Sequence, residues 1–289
     1  MIATGFILGL VSCTNTQTKD KNNQGESDSG YTEANSEDDE SVFYLLPSPG
    51  EILLRFYTSD IDYQPDYLNS PDNRDKYIGS KAQSQNLGVY ITDMAYSALF
   101  ERSTETVSYL EAIQSMSSEL GISSNIFESL LTRSKANAGQ LDSLLNISNE
   151  AFTNMIEFLE TGGKELTIAQ ISAGAYIESL FIALNSVGKY EEGNEMIELL
   201  LEMKFPMDNL LEQAKAAIKS EKDKAILNYL NEISLLFNEL ENEGDETSVT
   251  QTLPGVVTIK GGDIITMDET NFNTLKEKVS EIRKSIVSF

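Results

Sequence analysis

The chain contains no histidine, no tryptophan and a single cysteine, and it sets only 21 Lys and Arg against 46 Asp and Glu, for a formal net charge of −25. Without histidine, the commonest general acid/base near neutral pH and most zinc and copper ligand sets are excluded. The acidic balance also excludes nucleic acid as a partner, because that affinity comes mostly from Lys and Arg neutralising phosphates. The composition predicts no catalytic residues, no metal site and no cofactor, so we interpret the protein as non-enzymatic.

The single cysteine, Cys13, lies directly after a short apolar segment at the N-terminus. Residues 1–12 are uncharged and mostly apolar. They are too few to span a bilayer as a helix, which takes about 20 residues, but they match the apolar region of a secretory signal peptide. The segment Leu10-Val11-Ser12-Cys13 resembles the lipobox of bacterial lipoproteins, in which a peptidase cuts before the cysteine and the thiol carries a lipid. The resemblance implies a signal peptide over 1–12 and lipidation of Cys13.

Two neighbouring features bear on export. No Lys or Arg precedes Lys19, although signal peptides begin with a basic region, and we therefore expect the true translation start to lie upstream of Met1. The residue directly after the cysteine is Thr14 and not an aspartate. In lipoproteins of diderm bacteria, the absence of aspartate at this position favours the outer membrane. The predicted location is the cell envelope, with the membrane reached through the N-terminal lipid. Both the periplasmic face of the outer membrane and the cell surface stay open.

Residues 13–42 continue as a polar, acidic stretch. Positions 14–42 hold two lysines, eight acidic residues and very few apolar side chains. Such a composition cannot offset the entropy of ordering the chain, so it predicts a disordered tether behind the lipidated cysteine. The acidic run Glu37–Glu40 is interpreted as a solvated spacer. The alternative is a surface-export signal like those of some Bacteroidetes lipoproteins.

From residue 43 to 289 the apolar periodicity is that of α-helices. It predicts one all-α domain, either a multi-helix bundle or an array of helical hairpins, with about ten helices. Ser48-Pro49-Gly50-Glu51 has the form of a capping box with proline at the first helical position. The predicted helices cover approximately residues 49–57, 76–101, 104–120, 125–137, 140–160, 168–187, 190–203, 208–219, 222–243 and 271–287.

A minor β-hairpin is predicted near residues 256–266. Its strands are the β-branched runs Val256–Ile259 and Ile264–Thr266. Gly261 and Gly262 lie between these runs and are interpreted as a turn, not as a phosphate-binding loop, because no helix follows them directly.

Two stretches of the helical region resemble known sequences. Residues 188–197, which follow a predicted helix, resemble the turn and second helix of a tetratricopeptide repeat, giving a repeat-like hairpin near residues 168–203. A stacked array needs about three such repeats, so we interpret the segment as a helical hairpin. Leu45–Ile52, Asn86–Asp93 and Ile282–Ile286 resemble uncharacterised helical lipoproteins of Bacteroidetes. That resemblance implies a lipid-anchored envelope protein and no particular reaction.

Two carboxylates interrupt the most apolar helices. A buried carboxylate must be paired, hydrogen-bonded or protonated. If their two helices pack together, these carboxylates and nearby tyrosines could frame a polar pocket. The alternative is a structural network with tyrosine hydroxyls or with an arginine such as Arg102. The candidate ligand-binding residues are Asp93, Glu178, Tyr90, Tyr96 and Tyr176.

Five aspartates between residues 60 and 75 could supply oxygen ligands for calcium. Their spacing does not match the EF-hand loop, so we interpret them as turn-forming residues.

These observations lead to two functional hypotheses. The first is a non-enzymatic binding or structural module for another protein or envelope component. The alternative is a lipoprotein that captures a small molecule or glycan for an outer-membrane transporter. A deep pocket lined by tyrosines would favour capture, whereas a broad apolar groove would favour a protein partner.

Overall fold

The computed structural model describes residues 47–57, 61–137, 140–242, 245–253, 256–262 and 265–289, with side chains described outside 241–264. The predicted signal peptide, Cys13 and the tether over 13–42 lie outside the described residues. The all-α prediction is confirmed, since the described residues contain ten α-helices. They are α1 (Pro49–Phe56), α2 (Ser80–Leu99), α3 (Ser103–Glu119), α4 (Asn125–Ala136), α5 (Leu141–Thr161), α6 (Glu165–Val187), α7 (Glu195–Glu202), α8 (Lys204–Ala217), α9 (Lys224–Asn238) and α10 (Glu269–Val287).

Local sequence signals mark the start of α1 and the ends of α3 and α6. The capping box before α1 is confirmed: the Glu51 amide donates to Ser48 Oγ at 3.3 Å, and the Ser48 amide donates to Glu51 Oε2 at 2.8 Å. Gly121 after α3 and Gly188 after α6 have φ angles of 76° and 74°. Both angles lie in the left-handed region that glycine adopts without a steric penalty.

Several predicted helix boundaries are wrong: α2 begins at Ser80 and not near 76, α9 ends at Asn238 and not near 243, and the limits of α7 and α8 also differ. A break was expected at Phe205-Pro206, but α8 begins at Lys204 and holds Pro206 in its first turn. Proline is tolerated there because the first-turn amides have no intrahelical acceptor. α7 begins at Glu195, not near Tyr190, because the Asn194 side chain accepts the Met196 amide at 2.9 Å and caps the helix.

The β-structure is more extensive than predicted. β2 (Asp245–Leu253) pairs antiparallel with β3 (Val256–Gly262), and β1 (Glu241–Asn242) pairs with β4 (Ile265–Thr266). Gly261 and Gly262 lie in β3, and Gly262 is in register with Asp245, so the predicted glycine turn is wrong. The three Thr residues and Val249 of β2 have high strand propensity, and this strand provides the pairing partner that the prediction lacked.

Helices α2 and α6 lie side by side at the centre. Gln85 Nε2 donates to Gln170 Oε1 at 2.6 Å, and Thr92 Oγ1 donates to the Ala175 carbonyl at 3.1 Å. Residue numbers rise together along both helices, so the pair is parallel. One apolar cluster joins α2 and the start of α6 to α3, α4 and α5, and another joins α6 to α7, α8, α9 and α10. The central pair therefore links the two halves of the core.

Candidate functional site

The close crossing of α2 and α6 depends on two glycines. A Cβ added to Gly88 would lie 2.0 Å from the Ile171 carbonyl oxygen, and one added to Gly174 would lie 2.0 Å from the Gln85 carbonyl oxygen. No side chain fits at either position, because backbone atoms cannot move aside as a flexible side chain can. This contact brings the backbones together just before Asp93 and Glu178.

Glu178 is fully buried and is held by an arginine from the last helix. Arg283 donates from Nε to Glu178 Oε2 and from Nη2 to Glu178 Oε1, both at 2.9 Å. Its Nη2 also donates to the Tyr67 carbonyl at 2.9 Å, and its guanidinium lies 4.6 Å from the centre of the Phe181 ring. This two-point geometry is the strongest form of arginine–carboxylate pairing. It ties α10 to α6 and to the irregular segment before α2.

Asp93 lies against the same pair. Its Oδ2 accepts the Asn69 amide at 3.0 Å, while its buried Oδ1 meets no donor among the described residues. Burial raises the pKa of Asp93 well above its usual range, and the neighbouring Glu178 raises it further. Arg283 and the Asn69 amide act in the opposite direction. A proton on Asp93 gives Oδ1 a hydrogen to donate to Glu178, as in other close carboxyl pairs.

We call Asp93, Glu178 and Arg283 the carboxyl clasp. A proton on Asp93 would leave one negative and one positive charge in the clasp, and a neutral sum lowers the cost of burying such groups. A second set of bonds lies beside it: Asn86 Nδ2 donates to the Ile286 carbonyl at 2.9 Å, and the Tyr77 hydroxyl donates to the Val287 carbonyl at 3.1 Å. Together they fasten the C-terminal end of α10 to the centre of the fold.

The tyrosines predicted beside the carboxylates bind elsewhere. The Tyr90 hydroxyl donates to the Ser70 carbonyl at 2.9 Å, and the Tyr176 hydroxyl donates to the Met203 carbonyl at 2.7 Å. The Tyr96 hydroxyl accepts the Gln64 amide at 3.1 Å. Arg102 pairs with Glu105 at 2.8 Å. The structure thus brings Asp93 and Glu178 together, but supplies Arg283 as their counter-ion and turns the tyrosines toward backbone groups.

A surface groove lies where α1 meets α7 and α8, far in sequence from the clasp residues. It has a volume of about 350 Å³, and the exposed Phe205 projects at its edge with 67% of its surface accessible. We call it the α1–α8 groove. Its lining residues are Pro47, Glu51, Ile52, Arg55, Phe56, Leu199, Glu202, Met203, Phe205, Pro206 and Asn209.

The charged groups of the groove already have partners. Arg55 on α1 pairs with Glu202 on α7 across the groove, and both side chains are half exposed. Such an exposed pair contributes little to stability and exchanges partners readily. Glu51 accepts the amide and the hydroxyl of Ser48 in the capping box. The remaining lining is mostly apolar.

Two smaller cavities, of about 10 Å³ each, have room for a single water molecule. Tyr176 lines one and Tyr96 lines the other. Neither these cavities nor the groove is lined by Asp93, Glu178 or Tyr90.

Within the described ranges, no group of three or more Cys, His, Asp or Glu side chains is placed to hold a metal ion. Among the five aspartates interpreted as turn-forming residues, Asp75 accepts from Arg74 at 3.3 Å and Asp72 lies in a short 3₁₀ turn capped by Ser70. Asp60 lies outside the described residues.

Of the helices described, α6 alone is long and apolar enough to cross a membrane. It is also 83% buried inside the structure over its most apolar stretch, and a buried core helix passes the same test.

Comparison with known proteins finds no matching family model, no matching curated protein and no matching solved structure.

Proposed function

We propose that the chain is a non-enzymatic, lipid-anchored protein of the cell envelope whose helical body binds another protein through the α1–α8 groove. The groove carries this proposal: it is concave and mostly apolar, and it exposes a large aromatic side chain at its edge. Exposed aromatic residues beside an apolar depression are typical anchors of protein interfaces. The anchor is supported by the sequence Leu10-Val11-Ser12-Cys13.

A second candidate is capture of a small molecule or glycan for an outer-membrane transporter. The volume of the groove supports it, since ligand sites enclose about 300 to 1,000 Å³. However, such sites present converging polar groups that orient the ligand. In this groove Arg55 binds Glu202 and Glu51 binds Ser48, which favours an apolar protein segment as the occupant.

The binding proposal is tested by site-specific photo-crosslinking. A photoreactive residue in place of Phe205 should give a discrete protein adduct in envelope membranes. Phe158 on α5 is a matched control, because it is also an exposed phenylalanine at 40% but lies outside the groove. Identical adducts from both positions, or labelling of small molecules alone from position 205, would contradict a protein partner.

The anchor is tested separately with a labelled fatty acid. We expect incorporation into the chain in a bacterial host and none into Cys13→Ser. A wild-type chain that reaches the envelope unlabelled would refute the anchor without affecting the groove.

A further inference from the structure

We infer that the partner places in the α1–α8 groove an apolar segment flanked by Lys or Arg side chains. The inference rests on the proposed function and adds the chemistry of the partner. It is carried by two features: the apolar lining of the groove with its exposed aromatic ring, and the acidic character of α7, the helix that contributes Leu199 and Glu202 to that lining.

The apolar lining provides the attraction that does not depend on charge. Ile52 and Phe56 of α1 and Met203 line the groove and are themselves buried. Phe205 also lines it and leaves 67% of its surface in solvent. A partner segment with two or three large apolar side chains would cover this ring and fill the depression, which removes apolar surface from water on both sides.

The charges decide what flanks those side chains. Helix α7 contributes Leu199 and Glu202 to the lining of the groove. It carries two further glutamates, at 195 and 198, and no Lys or Arg in its eight residues. Arg55 on the facing helix is already paired with Glu202. The whole chain also carries 46 acidic against 21 basic residues, so an acidic segment is repelled and a basic one is attracted.

A lysine or arginine of the partner can therefore take the place of Arg55 beside Glu202, the α7 glutamate that lines the groove. Pairs of this exposed kind act mainly on the association rate and on specificity, and salt weakens them because the screening length is about 8 to 10 Å.

The test selects random linear peptides on the immobilised full-length chain and counter-selects on the Phe205→Ser chain. We expect the enriched peptides to combine large apolar residues with flanking Lys or Arg. A resynthesised peptide of this kind should lose about tenfold or more in affinity on Phe205→Ser. It should lose several-fold when its basic flanks are changed to glutamate, or when salt is raised from about 50 to about 500 mM.

Two protein variants complete the design. Phe158→Ser, which removes a comparable exposed ring, should leave the affinity unchanged. Glu198→Lys combined with Glu202→Gln changes only exposed positions, and should shift selection away from basic flanks; circular dichroism confirms that the fold is kept.

The other possible results distinguish failure of the inference from failure of the proposed function. Peptides that need Phe205 but are indifferent to flank charge overturn the inference and leave the proposed function standing. Binding that is indifferent to Phe205→Ser overturns both. If no peptide is enriched over the counter-selection, the inference is overturned, and the crosslinking at position 205 decides the proposed function independently.

Discussion

The replacement Asp93→Asn tests whether the carboxyl clasp holds a proton. Asparagine has the shape of a protonated aspartate: its amide nitrogen can donate to Glu178 while its oxygen still accepts the Asn69 amide, which now binds Asp93 Oδ2 at 3.0 Å. The variant should therefore fold with the same contacts. The asparagine amide can donate at every pH, whereas aspartate can donate only when it is protonated.

The magnitude follows from proton linkage. An unfolded aspartate has a pKa of about 3.9, whereas burial and the nearby Glu178 raise the pKa of Asp93 in the folded chain. Between these two values the folded state binds a proton that the unfolded state has released. Rising pH therefore lowers the stability of the wild type by about 1.4 kcal/mol per pH unit until the folded pKa is passed. The Asp93→Asn variant does not lose stability in this way, because asparagine does not titrate.

We expect the stability of Asp93→Asn, relative to wild type, to increase by about 1.4 kcal/mol per pH unit from pH 5 upward. Between pH 5 and pH 7 this increase sums to about 2.8 kcal/mol, or it stops earlier at the pH that marks the pKa of Asp93. Urea unfolding followed by circular dichroism measures it. The series starts at pH 5 because the isoelectric point is about 4.2.

Asp66→Asn is the matched control, since it removes the same charge from an exposed side chain. Its effect should stay within about 0.5 kcal/mol at every pH. If Asp93→Asn is less stable than wild type at pH 7, or if the difference does not vary with pH, then Asp93 is ionised and the shared proton is refuted.

The same unfolding assay checks three further predictions. Arg283→Met should cost about 3 to 5 kcal/mol at pH 7, because a buried carboxylate loses its counter-ion; a loss below about 1 kcal/mol, as for an exposed ion pair, would contradict this. Gly88→Ala and Gly174→Ala should each cost about 3 kcal/mol, whereas Gly162→Ala, whose nearest atoms are 3.5 Å away, should stay within about 1 kcal/mol; equal losses would contradict the close crossing. Ser48→Ala should cost about 1 kcal/mol, and an unchanged stability would show that the capping box contributes nothing.

The features predicted correctly from the sequence are local ones. The capping box at Ser48 and most helix positions depend on residues a few places apart. The errors arose where the local structure depends on a pairing partner that the nearby sequence does not indicate. Local sequence rules predict a turn at Gly261 and Gly262, but pairing with β2 places both residues in a strand.

The clasp could be predicted only in part. Two carboxylates within apolar helices indicated a buried polar site, but the counter-ion, Arg283, is 105 residues from Glu178. Nothing local distinguishes it from the other arginines. A stronger indication was available in Gly88 and Gly174: glycine in a helix interior costs about 1 kcal/mol relative to alanine. Two such residues in the most apolar helices therefore indicate a close approach of backbones.

The groove and the central helices are joined by one bond that bears on how the groove binds. Tyr176, two residues before Glu178 on α6, donates to the carbonyl of Met203, which lines the groove. The groove is thus formed mainly by helices, and Met203, the residue that joins α7 to α8, is hydrogen-bonded to the central helix α6. A site built on such elements loses little conformational entropy when a partner binds. Changes at the exposed Phe205 should therefore alter binding without altering the fold, whereas changes in the clasp should act on stability.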